Sequence, residues 1–301
     1  MAGRIYVGTS GWVYKSWAAT FYPKRVPAKR HFAFYAEHFP TVEINASFYR
    51  LPEASTFRGW REQAPECFVY AVKGSRTVTH FYKLAPGAKS FDLLLERAAG
   101  LGPKLGPVLW QLPGGFGKDA RRLADFVATL PRHLRHAIEF RDPSWLDAET
   151  SAILRRAGVA SVALSSLAMP PNTELSADFA YLRFHGLEGG AAHDYTDREL
   201  EPWAELLRGC ARRGVDAYVY FNNDVNVRAP FNALRLMDMV GAAAVRPAGP
   251  ASGQRPAGGD VERPARAPRA GGDVERPARA PRAGGDVKGL ARPPRAAAGG
   301  R

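Results

Sequence analysis

Eight short runs of β-forming residues recur through the first 245 residues, and almost every gap between them carries an amphipathic helical pattern. The runs span 4–8, 41–45, 68–73, 107–112, 136–141, 160–165, 179–185 and 216–222. Phe32, Tyr35, Ala36 and Phe39 fall at i, i+3, i+4 and i+7, so they share one helix face. Phe91, Leu94, Leu95 and Ala98 repeat the spacing, as do Leu123, Phe126, Val127 and Leu130. Thr196 and Glu199 have the spacing of a capping box ahead of Leu200, Trp203, Ala204 and Leu207. Gly158 and Gly214 stand where helices close. One connection, 166–178, carries Pro170 and Pro171 and is expected to be irregular. Strand and helix alternating eight times predict an α/β chain closed as a (β/α)8 TIM-type barrel over residues 1–245.

After Val245 the composition changes. The block GGDVERPARAPRA occupies 258–270, returns unchanged at 271–283, and a decayed copy starts at 284. Each copy offers almost nothing to bury, and its prolines remove backbone donors. Residues 246–301 are therefore expected to be a disordered Arg/Pro/Gly-rich tail. The formal charge of +13 divides as +6 before residue 246 and +7 from residue 246 onward, so over half of it says nothing about the barrel. Weak electrostatic contact of the tail with nucleic acid is one reading; a repeat expansion with no selected role is the favoured one, since interspersed Asp and Glu dilute the charge.

Cys67 and Cys210 lie far apart and form no metal or redox spacing. The N-terminus enters strand-like sequence at once, without a signal peptide, and no apolar run approaches the ~20 residues of a membrane helix. A soluble cytoplasmic protein without membrane association is the expectation; the oligomeric state stays open.

Side chains alternate between the two faces of a strand. Glu43 and Asn45 share one face and Val42 and Ile44 the other; Glu139 and Arg141 pair in the same way. Tyr181, Arg183 and His185 alternate with Leu182 and Phe184, and Tyr218, Tyr220 and Asn222 with Val219 and Phe221. The outer face of a barrel packs on helices and must be apolar, so the polar set points inward. It lies near the C-terminal strand ends, where barrel enzymes place their chemistry.

The segments GTSGWVYKSW, VEINASFYRLP, VKGSRTVTH, LGPVLWQLP, AIEFRDPSW, RFHG and YVYFNND, in this order over about residues 4–241, resemble the YecE-like family, domain of unknown function number seventy-two. The resemblance implies a TIM-type barrel and no established reaction. One departure is visible: VNVRAPFNAL after Asp224 has Val and Arg where the resemblance leads one to expect Gly and Ala.

The catalytic candidates are Glu43, Glu139 and His185. The substrate-binding candidates are Trp12, Asn45, Tyr49, Lys73, His80, Gln111, Arg141, Arg183, Asn222, Asn223 and Asp224. Arg offers planar, bidentate donors for phosphate or carboxylate, and neighbouring aromatic residues can stack a base or sugar. Glu43 and Glu139 then serve as general base and acid if their environments push their pKa values apart. The expectation is an enzyme whose reaction stays open, with hydrolysis the class named for it, acting on an anionic substrate: a phosphorylated sugar, a nucleotide or a nucleic-acid end. Two alternatives stand beside it: a non-catalytic nucleic-acid-binding protein, and a glycoside hydrolase using Glu43 and Glu139. Cations beside every inward acid disfavour a divalent ion, and neither metal nor cofactor is implied.

Overall fold

The computed structural model describes residues 1–247. Eight parallel strands close a barrel in chain order: β1 (Ile5–Ser10), β2 (Thr41–Ile44), β3 (Val69–Lys73), β4 (Leu105–Gln111), β5 (His136–Glu139), β6 (Ala160–Ser166), β7 (Phe179–Gly186) and β8 (Asp216–Phe221). Closure runs through β1 and β8, with Ile5 opposite Ala217 and Thr9 opposite Phe221. The α-helices are α1 (His31–His38), α2 (Ala46–Tyr49), α3 (Ala54–Gln63), α4 (Ser90–Ala98), α5 (Ala120–Thr129), α6 (Ala148–Ala157), α7 (Asp197–Arg212) and α8 (Arg228–Val240). No helix joins β6 to β7, in agreement with the irregular connection expected at 166–178. The capping box forms: Thr196 accepts from the Glu199 amide, and Glu199 accepts from the Thr196 amide. Gly158 closes α6 at φ 67°, a left-handed conformation that glycine adopts without a Cβ penalty.

Alternation along the strands decides what lies where. Outward, Trp110 of β4 packs on Phe91 of α4 and Phe126 of α5, and Phe184 of β7 packs on Trp203 of α7. Inward, Tyr6 and Tyr218 stack with ring centres 5.2 Å apart. Arg135 donates to Asp216 Oδ2 at 2.8 Å and to the Tyr218 hydroxyl at 2.7 Å. Above them the Tyr220 and Thr41 hydroxyls meet at 2.8 Å. The N-terminal end is thus plugged by hydrogen-bonded aromatic side chains, and inward polar groups reach solvent at the other end. Gly8 is needed where β1 crosses β2, because a Cβ there would lie 2.2 Å from the Thr41 carbonyl oxygen.

The chain stays on the barrel as far as Val245, whose amide donates to Ile5 O at 2.8 Å, and Arg246, which pairs with Asp238 at 3.1 Å. The expected tail lies, beyond residue 247, outside the described residues. No described helix is long and apolar enough to cross a membrane.

Candidate active site at the C-terminal barrel mouth

Arg183 is the centre of the site. It points inward from β7, is almost wholly buried, and joins carboxylates from two other strands. Its Nη2 donates to Glu43 Oε1 of β2 at 2.7 Å, and its Nη1 donates to Glu139 Oε2 of β5 at 2.6 Å. Glu43 is saturated by the Ser10 hydroxyl on Oε1 and the Tyr181 hydroxyl on Oε2, each at 2.7 Å. Glu139 Oε1 accepts from Arg141 Nε. Burial alone would raise the pKa of Glu139, but the Arg183 and Arg141 guanidiniums outweigh it and hold the carboxyl well below its ordinary range. Both glutamates are fully buried.

His185 stands one layer nearer solvent on the same face of β7. Arg141 Nη2 lies 2.8 Å from its Nε2, and the Asn222 side-chain amide lies 3.2 Å from its Nδ1. A guanidinium only donates, so toward Arg141 the Nε2 atom is the acceptor; Glu139 Oε1 also lies 3.5 Å from Nε2. Burial lowers the pKa of His185, reinforced by Arg183 and Arg141 against the opposing pull of Glu139. The lowered pKa favours the neutral imidazole, whose Nε2 faces Arg141 Nη2.

Lys73 ends β3. Its Nζ lies 4.2 Å from the centre of the Phe48 ring, and the residue is 9% exposed. Burial lowers its pKa to about 8, helped by Arg183 and Arg141 and opposed by Glu43 and Glu139. Beyond it the chain makes a π-helical turn, Thr77–Phe81, an arrangement often found at functional positions. That turn sets His80 edge-on to Phe48 at 5.0 Å, where burial, then Lys73 and Arg76, lower its pKa. Tyr49 and Phe81 are 69% and 68% exposed, and the Arg76 guanidinium lies over both rings, 5.9 and 5.6 Å from their centres. Asn45 caps the C-terminal end of β2, with its Oδ1 buried and without a hydrogen-bond partner.

Across the mouth, Asp224 Oδ1 accepts from Trp17 Nε1 at 2.6 Å. Burial raises the Asp224 pKa to about 6, against the lowering effect of that hydrogen bond. The following loop is strained: Asn226 and Val227 both take left-handed backbone, at φ 63° and 59°. For a β-branched residue this conformation is a true outlier. It falls in the segment where the sequence departs from the small residues expected.

Two residues expected to contact substrate lie away from the mouth. Asn223 points away from the mouth, because parity that turns Asn222 inward turns its neighbour outward. It is fully buried, and its amide nitrogen ties the His193 carbonyl and Asn232 Oδ1 together, each at 2.8 Å. Trp12 packs edge-on against Phe32 and Trp60, outside the barrel wall, so it belongs to a packing cluster. Gln111 ends β4 half-buried and donates to Leu112 O at 3.1 Å. Arg76 and Phe48 complete the site without having been singled out as ligand-binding by the sequence; Arg76 lies in a loop, where no periodicity assigns a face. Tyr181 was legible from strand parity alone.

The gap between Glu43 and Glu139 is filled by the Arg183 guanidinium, which leaves no room for the glycosidic oxygen or water that paired carboxylates flank in a glycosidase. Among the described residues, no three His, Cys, Asp or Glu side chains gather as a metal-ligand group.

The family model described as "Protein of unknown function DUF72" matches residues 6–256. The UPF0759 protein YunF of Bacillus subtilis is 27% identical over 280 residues, covering 78% of this chain and 94% of its own length. The UPF0759 protein YecE of Escherichia coli is 29% identical over 142 residues, covering 47% of this chain and 50% of its own. A DUF72 family protein from Thermotoga maritima has a TM-score of 0.67 to this fold at 26% identity, covering 79% of this chain and 99% of that one. A DUF72 family protein from Enterococcus faecalis has a TM-score of 0.65 at 20% identity, a likeness of fold alone, over 79% of this chain and 98% of that one.

Proposed function

The chain belongs to the DUF72 family, and we propose that its barrel mouth is an enzyme active site for a small anionic, phosphate-bearing substrate. The observation that carries this is the surplus cation at the mouth. Glu43 and Glu139 are engaged by Arg183, Arg141, Ser10 and Tyr181, and Lys73 is nearly buried with no carboxylate ion pair among the described residues. An ammonium kept dry and unpaired is costly, and an incoming anion offsets that cost. Arg141 is the principal anchor in this reading, with Lys73 and His80 on the adjoining wall. Glu43 and Glu139 become positioning residues that fix Arg183 and Arg141. His185 is the proton acceptor. An anion that engages Arg141 Nη2 draws it off His185 Nε2, so substrate binding uncovers the base.

Thermal shift with inorganic phosphate, a panel of phosphate esters and their neutral alcohols tests the reading on wild type and Arg141→Ala. A charge-assisted hydrogen bond is worth ~1.5–3 kcal/mol, so the variant should bind a phosphate ester at least about tenfold more weakly. Equal shifts in both proteins would rule the site out.

The exposed Tyr49, Arg76 and Phe81 group favours a second reading, in which single-stranded nucleic acid stacks on this rim. The salt slope of binding for chains ending at 245 and at 301 separates the two. A small-substrate enzyme shows little salt-dependent nucleic-acid affinity once the tail is removed.

A further inference from the structure

Lys73 is buried, whereas Lys83, which also lies over an aromatic ring, is exposed. Lys104 Nζ donates to the Arg61 and Ala64 carbonyls, each at 2.6 Å, and Lys118 bridges Asp147 and Glu149. Lys73 has neither kind of partner among the described residues. Its backbone is nevertheless held firmly: it pairs with Leu109 of β4, and the Ser47 hydroxyl donates to its carbonyl at 2.6 Å. A rigid strand end thus presents a single amine, over the face of Phe48, at the end of the barrel where chemistry is placed. A structural ion pair would need a carboxylate at the amine; Glu43 and Glu139 are instead engaged by other donors, and no ion pair with Lys73 forms among the described residues.

We infer that Lys73 is a nucleophile that forms an imine with an aldehyde or ketone carrying an anionic group. The inference deepens the anion-binding reading above and rests on it. Arg141 holds the anionic end while the Lys73 amine attacks the carbonyl carbon; the C=O π pair moves to oxygen, and a proton passes from nitrogen to that oxygen. The carbinolamine then loses its oxygen as one water, leaving C=N, and no oxidant or reductant is needed. Protonation of the imine returns a positive charge to the place the ammonium held, so the mouth keeps its balance beside a bound anion. Attack requires a free amine. With the pKa near about 8, on the order of a tenth of Lys73 is unprotonated at pH 7, far more than for a lysine in water. The groups that set this state are Phe48 beneath the amine, His80 and Arg76 on the following turn, and Glu43, Glu139, Arg141 and Arg183 from the facing strands.

The test treats the full-length protein at pH 7 with sodium cyanoborohydride and either glyoxylate, an anionic aldehyde, or glycolaldehyde, a neutral one. Each rate is divided by that of Nα-acetyl-lysine, and adducts are located by intact mass and peptide mapping. The expected result is one adduct on Lys73, formed at least tenfold faster than on any surface lysine, faster with glyoxylate, slowed by inorganic phosphate and lost in Lys73→Arg. Labelling spread evenly over the lysines, or unchanged in Lys73→Arg, overturns the inference. If that variant does not fold, the wild-type peptide map decides alone. Phosphate-ester binding without labelling at Lys73 also overturns it, and leaves the anion site standing. Selective labelling of Lys73 by both aldehydes at equal normalised rates, unprotected by phosphate, supports the imine and removes the anion reading.

Discussion

Arg183 Nη2 donates to Glu43 Oε1 at 2.7 Å across the barrel interior, with both side chains shielded from solvent. The two residues are 140 positions apart in sequence, so this bond ties β2 to β7 through the middle of the barrel. Arg183→Ala leaves Glu43 and Glu139 short of their shared partner. Removing one member of a buried pair costs ~3–5 kcal/mol, because an uncompensated charge stays behind. Urea unfolding should show that loss, with a smaller loss for Arg183→Ala combined with Glu43→Gln. Equal losses in the single and double variants would mean that the ion pair is not what holds Arg183.

Asp224 gives a stability signature of a definite sign. Its folded pKa, about 6, lies above the ordinary aspartate value, so the folded state binds its proton more tightly than the unfolded chain. Its contribution is fully present below about pH 4 and is lost as pH rises through about 6. Solvent screening of this half-buried group limits the effect to ~1–2 kcal/mol. Asp224→Asn keeps an acceptor for Trp17 Nε1 and should remove that loss, gaining stability relative to wild type at pH 8 but not at pH 4. Chemical denaturation at the two pH values checks it.

His136 acts in the opposite direction over much the same range. It lies buried behind Trp110, whose Nε1 is 3.3 Å from His136 Nδ1, and burial lowers its pKa to about 4. The folded state therefore resists its protonation. Its contribution is present above about pH 6.5 and lost as pH falls through about 4, by up to ~3 kcal/mol at 1.36 kcal/mol per pKa unit. His136→Phe should flatten the acid side of the stability profile, whereas Asp224→Asn should steepen the net fall toward acid. An acid limb unchanged in His136→Phe would mean that the ring is charged in the fold.

Inwardness was legible in the sequence because a closed barrel leaves a strand only two faces, one of which must be apolar. That logic places Glu43, Lys73, Glu139, Arg183 and His185 together at one end of the barrel. Extended one residue further it also turns Asn223 outward, but it does not reach Trp12, which obeys loop packing. Nor does periodicity say which inward groups neutralise one another. The saturation of Glu43 by Ser10, Tyr181 and Arg183 depends on chain segments brought together only by closure. The Trp17 contact that accompanies the burial of Asp224 spans 207 positions. The Val at 227 was visible as a departure, but its meaning, a β-branched residue held at positive φ, belongs to the backbone.

Lys73→Met connects stability with function. The folded state disfavours the Lys73 ammonium, so its penalty applies in full below about pH 8 and is relieved as pH rises toward the pKa of a solvated lysine. Methionine fills similar space over Phe48 without the charge. The variant should gain about 1–3 kcal/mol at pH 7 and lose that advantage near pH 10, a gain bought by giving up a site group. A bound anion raises the Lys73 pKa in the wild type, so a phosphate ester should stabilise that protein more at pH 7 than at pH 10. The Lys73→Met protein should show a smaller shift with no such dependence. A Lys73→Met protein less stable than wild type at pH 7 would mean that the ammonium is paired in solution, and the surplus charge on which the proposed site rests would not exist.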